Sequence, residues 1–386
     1  MSKIDELIAE LCPEGVRCSP LSKLILLQRG ERVTKNDLLS DGPVPVVSGG
    51  KGYMGFVGRS NREMNTITIA QYGAAGYVAW QKLAFWANDV CFSAVLTTDL
   101  LQYRFLYHFL KSRQEVLYSI SNRVAVPHSI DAKRLLSITI PLPPLEVQRE
   151  IVSILDKFTQ LEAELEAELE ARRSQYEHTR DQLLDFSGDL SSHPMRDLIA
   201  ELCPEGVRSH ELGRVASIKI GEFVKKTKQD PKARFAVYNG GTTETGFYEA
   251  FNSMEDSVVI SARGSIGFVN YLSKKFWAGN SCYVIRPESD DVDVKYLYFV
   301  LKSSEMQLYA LRAVGGIPAL NLGPVRTFPI PLPPLEIQRK IVAILDRLDA
   351  LVNDLTFGLP AEITARRKQY EYYRNRLLTF KELDAE

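Results

Sequence analysis

Hydrophobic positions along this chain fall into two rhythms, and each rhythm appears twice. Short apolar runs bounded by turn residues come first: VPVVSGG, NTITIAQYG, GYVAW and DVCFSAVLT between residues 44 and 97. Their β-branched and aromatic content predicts strands separated by glycine turns. FAVYNGG, SVVISARG, GFVNYL and NSCYVIRP repeat the pattern between residues 235 and 287. A helix is expected after each set, near Tyr103–Ser119 and Val294–Leu311. The rhythm then changes to spacings of three and four. Ile151, Leu155, Phe158, Leu161, Leu165 and Leu169 form one stripe, which Tyr176 and Leu183 continue after a polar gap. Ile341, Leu345, Leu348, Leu351, Leu355, Leu359, Ile363, Tyr370 and Leu377 form the other. Both read as long helices with a single apolar seam, each burying that seam against the other. At ~1.5 Å per residue, roughly 40 residues of helix make a strut of about 60 Å. Gly358 and Pro360 are expected to break or kink the second.

Between strands and long helix stands Pro-Leu-Pro-Pro-Leu-Glu, at 141–146 and 331–336. Its prolines force an extended hinge, with Pro144 or Pro334 at the first turn of the helix. Glu146 and Glu336 then sit at the positive end of that helix.

The whole chain is in fact written twice. LIAELCPEGVR occurs at 7–17 and 198–208, IPLPPLEVQREIVSILDKF (140–158) answers IPLPPLEIQRKIVAILDRL (330–348), and ARRSQYEHTRDQLLDF (171–186) answers ARRKQYEYYRNRLLTF (365–380). Between these anchors a weaker echo runs at an offset close to 191: Ser48-Gly49-Gly50 with Asn239-Gly240-Gly241, Tyr72-Gly73 with Arg263-Gly264, Phe85-Trp86 with Phe276-Trp277. The seam is SGDLSSHP, a linker by composition. Hinges and helices are nearly identical between copies, whereas the blocks before them share a skeleton but few polar residues. Two such blocks would fold alike and present different chemistry.

Composition adds class and location. With 45% hydrophobic and 25% charged residues the chain is globular rather than disordered. No membrane span or secretory signal is evident, and five cysteines without a C-x-x-C pair suit a cytoplasmic protein with free thiols and no structural zinc. The net charge of −1 hides a cancellation. Residues 19–141 carry 14 Lys/Arg against 8 Asp/Glu and 212–330 carry 15 against 11, while 145–186 carry 5 against 11. Two basic blocks thus flank an acidic connector.

Variable block, PLPPLEVQREIVSILDKF, long helix, and then the same again: this order resembles the specificity subunit of type I restriction-modification systems over essentially the whole chain. Members often carry Glu-Gln after the prolines, where this chain has Val147-Gln148 and Ile337-Gln338. The resemblance implies an α+β fold, with two pseudo-repeated α/β target-recognition domains separated by two long antiparallel α-helices in a coiled coil. The expected divisions are residues 1–142 for the first recognition domain with its short leading helix, 143–187 for the central long helix, 188–332 for the second recognition domain and 333–386 for the C-terminal long helix. It also implies two modification subunits that carry S-adenosylmethionine and methylate adenine, restriction subunits that use ATP and Mg²⁺, and no catalytic residue or cofactor in this chain.

A recognition domain needs cations for phosphates and amide or guanidinium groups for base edges. The candidates in the first block are Lys51, Tyr53, Arg59, Arg62, Gln71, Tyr72, Arg123 and His128. In the second they are Asn239, Thr242, Thr243, Arg263, Ser265, Lys274, Lys275 and Asn321. Gln71 suits adenine and Arg263 guanine; for any single residue, an ordinary solvated loop position is an equal reading. Because the blocks differ, a double-stranded DNA target should be bipartite and asymmetric, and two equivalent helix surfaces should bind two copies of one partner. The alternatives are a stand-alone DNA-binding regulator, which the modest local charge disfavours, and a coiled-coil scaffold, which leaves the divergent blocks without purpose.

Other motifs carry less. Gly50-Lys51-Gly52-Tyr53-Met54-Gly55 matches a dinucleotide-binding glycine pattern, but no helical period follows it and its repeat partner does not keep it. PLPP is not an adenine-methyltransferase tetrapeptide, no Walker A sequence occurs, and the five histidines lack ligand spacing. The stretch LEAELEAELEA (161–171) is built from Glu-Ala-Glu-Leu units. Asp156 to Ala171 spans fifteen positions and Asp346 to Ala365 nineteen, a difference of one unit. One unit adds about 6 Å of helix and turns the seam by only ~40°, as an adjustable ruler would.

Overall fold

A computed structural model describes residues 3–124, 126–313, 318–353 and 358–383. The chain divides into two compact units, and they do not follow chain order: Met1–Glu166 with Glu362–Glu386 form one, Ala167–Ala361 the other.

In the first unit an antiparallel four-stranded sheet runs in the order Ile25–Arg29, Cys91–Leu96, Thr66–Ala70, Val78–Gln81. A three-stranded sheet places Val44–Val47 between Tyr53–Val57, antiparallel, and Trp86–Ala87, parallel. The second unit repeats both sheets strand for strand: Ala216–Ile220, Cys282–Pro287, Ser257–Ser261 and Val269–Leu272, then Gly246–Tyr248, Phe235–Tyr238 and Trp277–Ala278. Val46 pairs with Trp86 and Val237 with Trp277, which fixes the offset of 191 in three dimensions. The sequence repeat is therefore a repeat of topology.

The expected helix after each sheet is two helices. Tyr103–Ser112 and Gln114–Ser119 meet at Arg113, and Val294–Ser303 and Glu305–Ala310 meet at Ser304; both junction residues leave helical ψ. Phe105, Leu106, Phe109 and Leu110 bury one face of the first helix against Ile67, Ile69 and Phe92 of the sheet. Full burial of each such side chain contributes about 1.5–3 kcal/mol.

The hinge is fastened by one glutamine in each repeat. Gln148 is fully buried; its amide donates to Pro143 O and Leu100 O, both at 2.8 Å, and its carbonyl accepts from Gln102 N–H at 2.7 Å. Gln338 makes the same three bonds, to Pro333 O (2.7 Å), Asp291 O (2.9 Å) and Asp293 N–H (2.8 Å). Prolines leave carbonyls without neighbouring donors, so an extended Pro-rich segment can be buried only if a side chain supplies them. Pro144 and Pro334 precede the helices, and their carbonyls accept the first helical bonds.

The first long helix is continuous over Leu145–Leu184. The second is described in two stretches, Leu335–Asn353 and Leu359–Leu377, and Gly358, at φ +81°, breaks the helix just before Leu359 as the sequence suggests. Leu355 of the expected stripe lies outside the described residues. The seam of the first helix is buried at its two ends rather than along its length. Ile151 and Leu155 enter the core of the first unit, and Tyr176, Leu183 and Leu184 that of the second, whereas Leu161 is 46% exposed.

Within the first unit, residues 362–377 of the second helix run antiparallel to residues 145–166 of the first. Arg367 binds Glu162 at 2.6 Å and also Glu166, and further along Tyr373 stacks on Phe158 at 5.6 Å. A polar cluster ties this helix pair to the recognition domain. His108, fully buried on Tyr103–Ser112, lies with Nε2 2.7 Å from Asp156, which Arg104 also holds at 2.8 Å. His108 Nδ1 is 3.5 Å from the Tyr370 hydroxyl. A neutral ring, donating from Nε2 and accepting at Nδ1, satisfies both contacts. Burial pulls the His108 pKa below the usual histidine value, more strongly than Asp156 raises it. In the second unit Lys295 holds Asp346 at 2.5 Å, and Phe299 stands where His108 does.

Candidate nucleic-acid interface

Three loops are laced together in each unit by backbone hydrogen bonds. In the first unit Ala74 N donates to Gly49 O (2.7 Å), Gly73 N to His128 O (3.0 Å) and Ile130 N to Gln71 O (2.9 Å). In the second, Ser265 N donates to Gly240 O and Leu320 N to Ala262 O, both at 2.8 Å. The lacing demands glycine at the crossing points. Gly73 and Gly264 both take φ +76°, and a Cβ on Gly49 or Gly240 would lie 2.3 Å from the carbonyl of Tyr72 or Arg263.

This lacing gathers Lys51, Gln71, Tyr72, Arg123 and His128 onto neighbouring loops of the first unit. Lys51 and Arg123 line one open cleft of about 430 Å³ together with Tyr118 and Glu115. Lys51 and Tyr53 also flank a small recess against Tyr77 and Gln81. The Lys51 ammonium lies 5.9 Å from the Tyr77 ring, and the Arg123 guanidinium packs on Tyr118 at 4.7 Å. Gln71 Oε1 and His128 Nδ1 are buried with no hydrogen-bond partner. Two such atoms in one loop cluster mark polar groups that the fold does not use.

In the second unit the same loops carry Asn239, Thr242, Thr243, Arg263, Ser265 and Asn321. Thr242, Thr243, Arg263 and Asn321 are exposed. Asn239 is partly a scaffold residue, its Oδ1 accepting from Ser281 N–H at 3.2 Å. Asn321 begins the short helix Leu322–Arg326 without a side-chain cap bond, whereas Asp131, at the matching place, caps Lys133 N–H.

Four candidates lie elsewhere. Arg62 turns inward: its guanidinium donates to Ser93 Oγ (3.2 Å), Asn61 O (2.7 Å) and Arg29 O (2.9 Å), which makes it a brace between strands. Arg59 is exposed and packs on Trp86 at 5.5 Å. Lys274 and Lys275 line a separate cleft beside Phe276, whose bridge to Ser253 matches that of Arg62 to Phe85.

Two features were missed in the sequence. Lys225, Lys226, Lys228, Lys232 and Arg234 form an exposed basic run before the strand Phe235–Tyr238, visible as VKKTKQDPKAR. Gln148 and Gln338 were signalled only by their identical place after the prolines. Among the described residues, no group of three or more His, Cys, Asp or Glu could hold a metal, and no helix is long and apolar enough to cross a membrane.

Duplicated sheets that share a backbone but present different loop residues define a recognition protein with two reading heads. The family model described as the type I restriction modification DNA specificity domain matches residues 13–171 and again 204–365. The chain belongs to the specificity subunits of type I restriction-modification systems, a DNA-recognition component rather than a catalytic one. It is 29% identical to a protein of Haemophilus influenzae described as a type I restriction enzyme specificity subunit, over 95% of this chain and 96% of the relative. It is 34% identical to the EcoR124I/EcoR124II specificity subunit of Escherichia coli over 63% of each chain. The crystal structure of a type I S subunit from M. genitalium shares the fold, with a TM-score of 0.68 at 22% identity over 94% of this chain and 96% of that one. A structure bearing on type I complex assembly does so with a TM-score of 0.56 at 19% identity over 95% and 98%. Membership does not favour a stand-alone regulator.

Proposed function

We propose that the two loop clusters each read one half of a bipartite, asymmetric double-stranded DNA site. Lys51, Tyr53, Gln71, Tyr72, Arg123 and His128 serve one half, and Asn239, Thr242, Thr243, Arg263, Ser265 and Asn321 the other. The observation that carries this reading is substitution on a constant backbone. Gln71, Tyr72 and Ala74 stand where the second repeat has Ala262, Arg263 and Ser265, in loops laced by the same bonds. One scaffold with two polar codes is what two different half-sites require.

The long helices set the unread spacer and dock two modification subunits, which bring S-adenosylmethionine and methylate adenine. Restriction subunits using ATP and Mg²⁺ join that core in the cytoplasm, and this chain contributes recognition and geometry alone. Mapping of methylated adenines in cells that express the chain with its modification partner tests the reading. The expected result is one bipartite motif with unlike halves; a palindromic or uninterrupted motif refutes it. Mass measurement of the assembled complex should give two modification subunits per chain.

A further inference from the structure

The second unit holds a cleft of about 760 Å³ between the hairpin of Phe235–Tyr238 and Gly246–Tyr248 and the turn leading to Phe276. Phe235 and Phe251 meet on its wall with ring centroids 5.1 Å apart and planes at 55°. The Arg234 guanidinium lies 5.3 Å from the Phe235 ring and the Lys275 ammonium 4.9 Å from Phe251. Lys274 is exposed beside them, and two carboxylates, Glu244 and Glu255, line the same space. None of these five charged side chains makes a salt bridge or a side-chain hydrogen bond among the described residues. Three cations and two anions therefore share one cleft without neutralising each other.

The first repeat is an internal control. At the positions 191 lower, Arg234, Phe251 and Glu255 are replaced by Pro43, Ser60 and Met64, and Lys274 and Lys275 by Leu83 and Ala84. The framework around them is kept, with Phe85 and Trp86 answering Phe276 and Trp277 and the same strand pairing on both sides. The fold forms with either set, so the aromatic and charged lining is not a requirement of folding.

We propose that this cleft binds one nucleotide carrying an amino-substituted base, either free in solution or as an unpaired residue of a strand. The base stacks on Phe251 and Phe235, its phosphate meets Lys274, Lys275 and Arg234, and its exocyclic amino group donates to Glu244 or Glu255. A paired base cannot enter, because its faces are stacked and its amino group is engaged. The volume falls in the range of about 300–1,000 Å³ usual for small-molecule sites. The proposal takes Lys274 and Lys275 out of the half-site contacts and does not depend on how the loops read DNA.

Calorimetric titration of the full chain tests it, using adenosine monophosphate, thymidine monophosphate, inorganic pyrophosphate, short oligo-dA and a duplex without a target site. Adenosine monophosphate should bind at least about tenfold more tightly than thymidine monophosphate or pyrophosphate. Phe251→Ala and Lys275→Ala should each weaken it about tenfold, while Leu83→Ala, at the matching place in the first unit, leaves it unchanged. Glu244→Ala with Glu255→Ala, which removes both acceptors, should remove the preference for adenine over thymine. Oligo-dA binding as well as the monophosphate identifies the strand as the source, and binding of the monophosphate alone identifies the free nucleotide. Absence of heat with both, equal binding of pyrophosphate or duplex, or indifference to Phe251→Ala with circular dichroism unchanged overturns the proposal.

Discussion

Replacing Gln148 with methionine isolates the hinge clip. The substitution nearly conserves volume in a site where the side chain is fully buried, so packing changes little. It removes three hydrogen bonds at once. Leu100 is 64% exposed, so water can take the place of the bond to its carbonyl. Gln102 N–H and the Pro143 carbonyl are left without a partner, and each buried group so stranded costs about 1–3 kcal/mol. The expected loss is therefore about 2–6 kcal/mol, well above the ~1 kcal/mol of an average substitution. With a urea slope of about 2 kcal/mol per molar, the unfolding midpoint should fall by roughly 1–3 M. Tryptophan placement makes the assay local: Trp80 and Trp86 lie in the first unit and Trp277 in the second. Fluorescence in a Trp277→Phe background follows the first unit alone, and a Trp80→Phe/Trp86→Phe background does the same for Gln338→Met. A midpoint shift below about 0.5 M would refute the account, since water or a shifted backbone would then have satisfied the stranded groups.

Burial holds His108 below the usual histidine range, so on acidification the unfolded chain takes up its proton first. Stability of the first unit should be at its full value above about pH 6.5 and fall as pH drops toward the folded pKa. His108→Phe, the residue of the second repeat, should flatten that limb in Trp80/Trp86 fluorescence; an unchanged slope contradicts the assignment. Burial raises the Asp156 pKa, but hydrogen bonds from His108 and Arg104 outweigh it and hold the carboxyl below its ordinary value, so its loss belongs below about pH 4. Inserting Glu-Ala-Glu-Leu after Leu169 adds about 6 Å of helix and should lengthen the spacer in mapped methylation sites by about one or two base pairs. Altered half-sites or an unchanged spacer would count against the ruler. Gln71→Ala should relax one half-site only, whereas a uniform loss of affinity across sequences would mark a phosphate contact.

The duplication, the strands, the hinge and the break at Gly358 were all legible, because each rests on local rules: period, turn residues, and what proline and glycine permit. The split of each sheet-following helix at Arg113 and Ser304 was not legible, since neither residue is a helix breaker and tertiary packing sets the bend. Candidate contacts were legible as a group but not one by one. Arg62 and Arg123 look alike in sequence, yet one donates three hydrogen bonds to its own domain and the other donates one, to Tyr118 O at 3.2 Å, and stays exposed on the ring of Tyr118. What separates them is the isolated bridge of Arg62 to Phe85, which sets its side chain among Ser93 and the carbonyls of Asn61 and Arg29.

The long helices show most clearly where periodicity stops informing. Ile151, Leu155, Leu161, Leu165 and Leu169 share one spacing, and nothing in that spacing distinguishes a core position from a bare one. Burial does: Ile151 and Leu155 are fully buried, while Leu161 is largely open. The difference comes from the neighbours that tertiary structure supplies. Near residue 155 the helix meets the Tyr103–Ser112 helix through Arg104 and His108. Near residue 165 its partners include Arg367, a charge paired with Glu162 and Glu166. Exposed ion pairs of that kind contribute at most about 1 kcal/mol and fix no unique register. No residue of the Glu-Ala-Glu-Leu stretch is buried, so it carries few packing constraints. A segment that can gain or lose one unit without disturbing a core has to be placed there, between two ends that are each locked by their own domain.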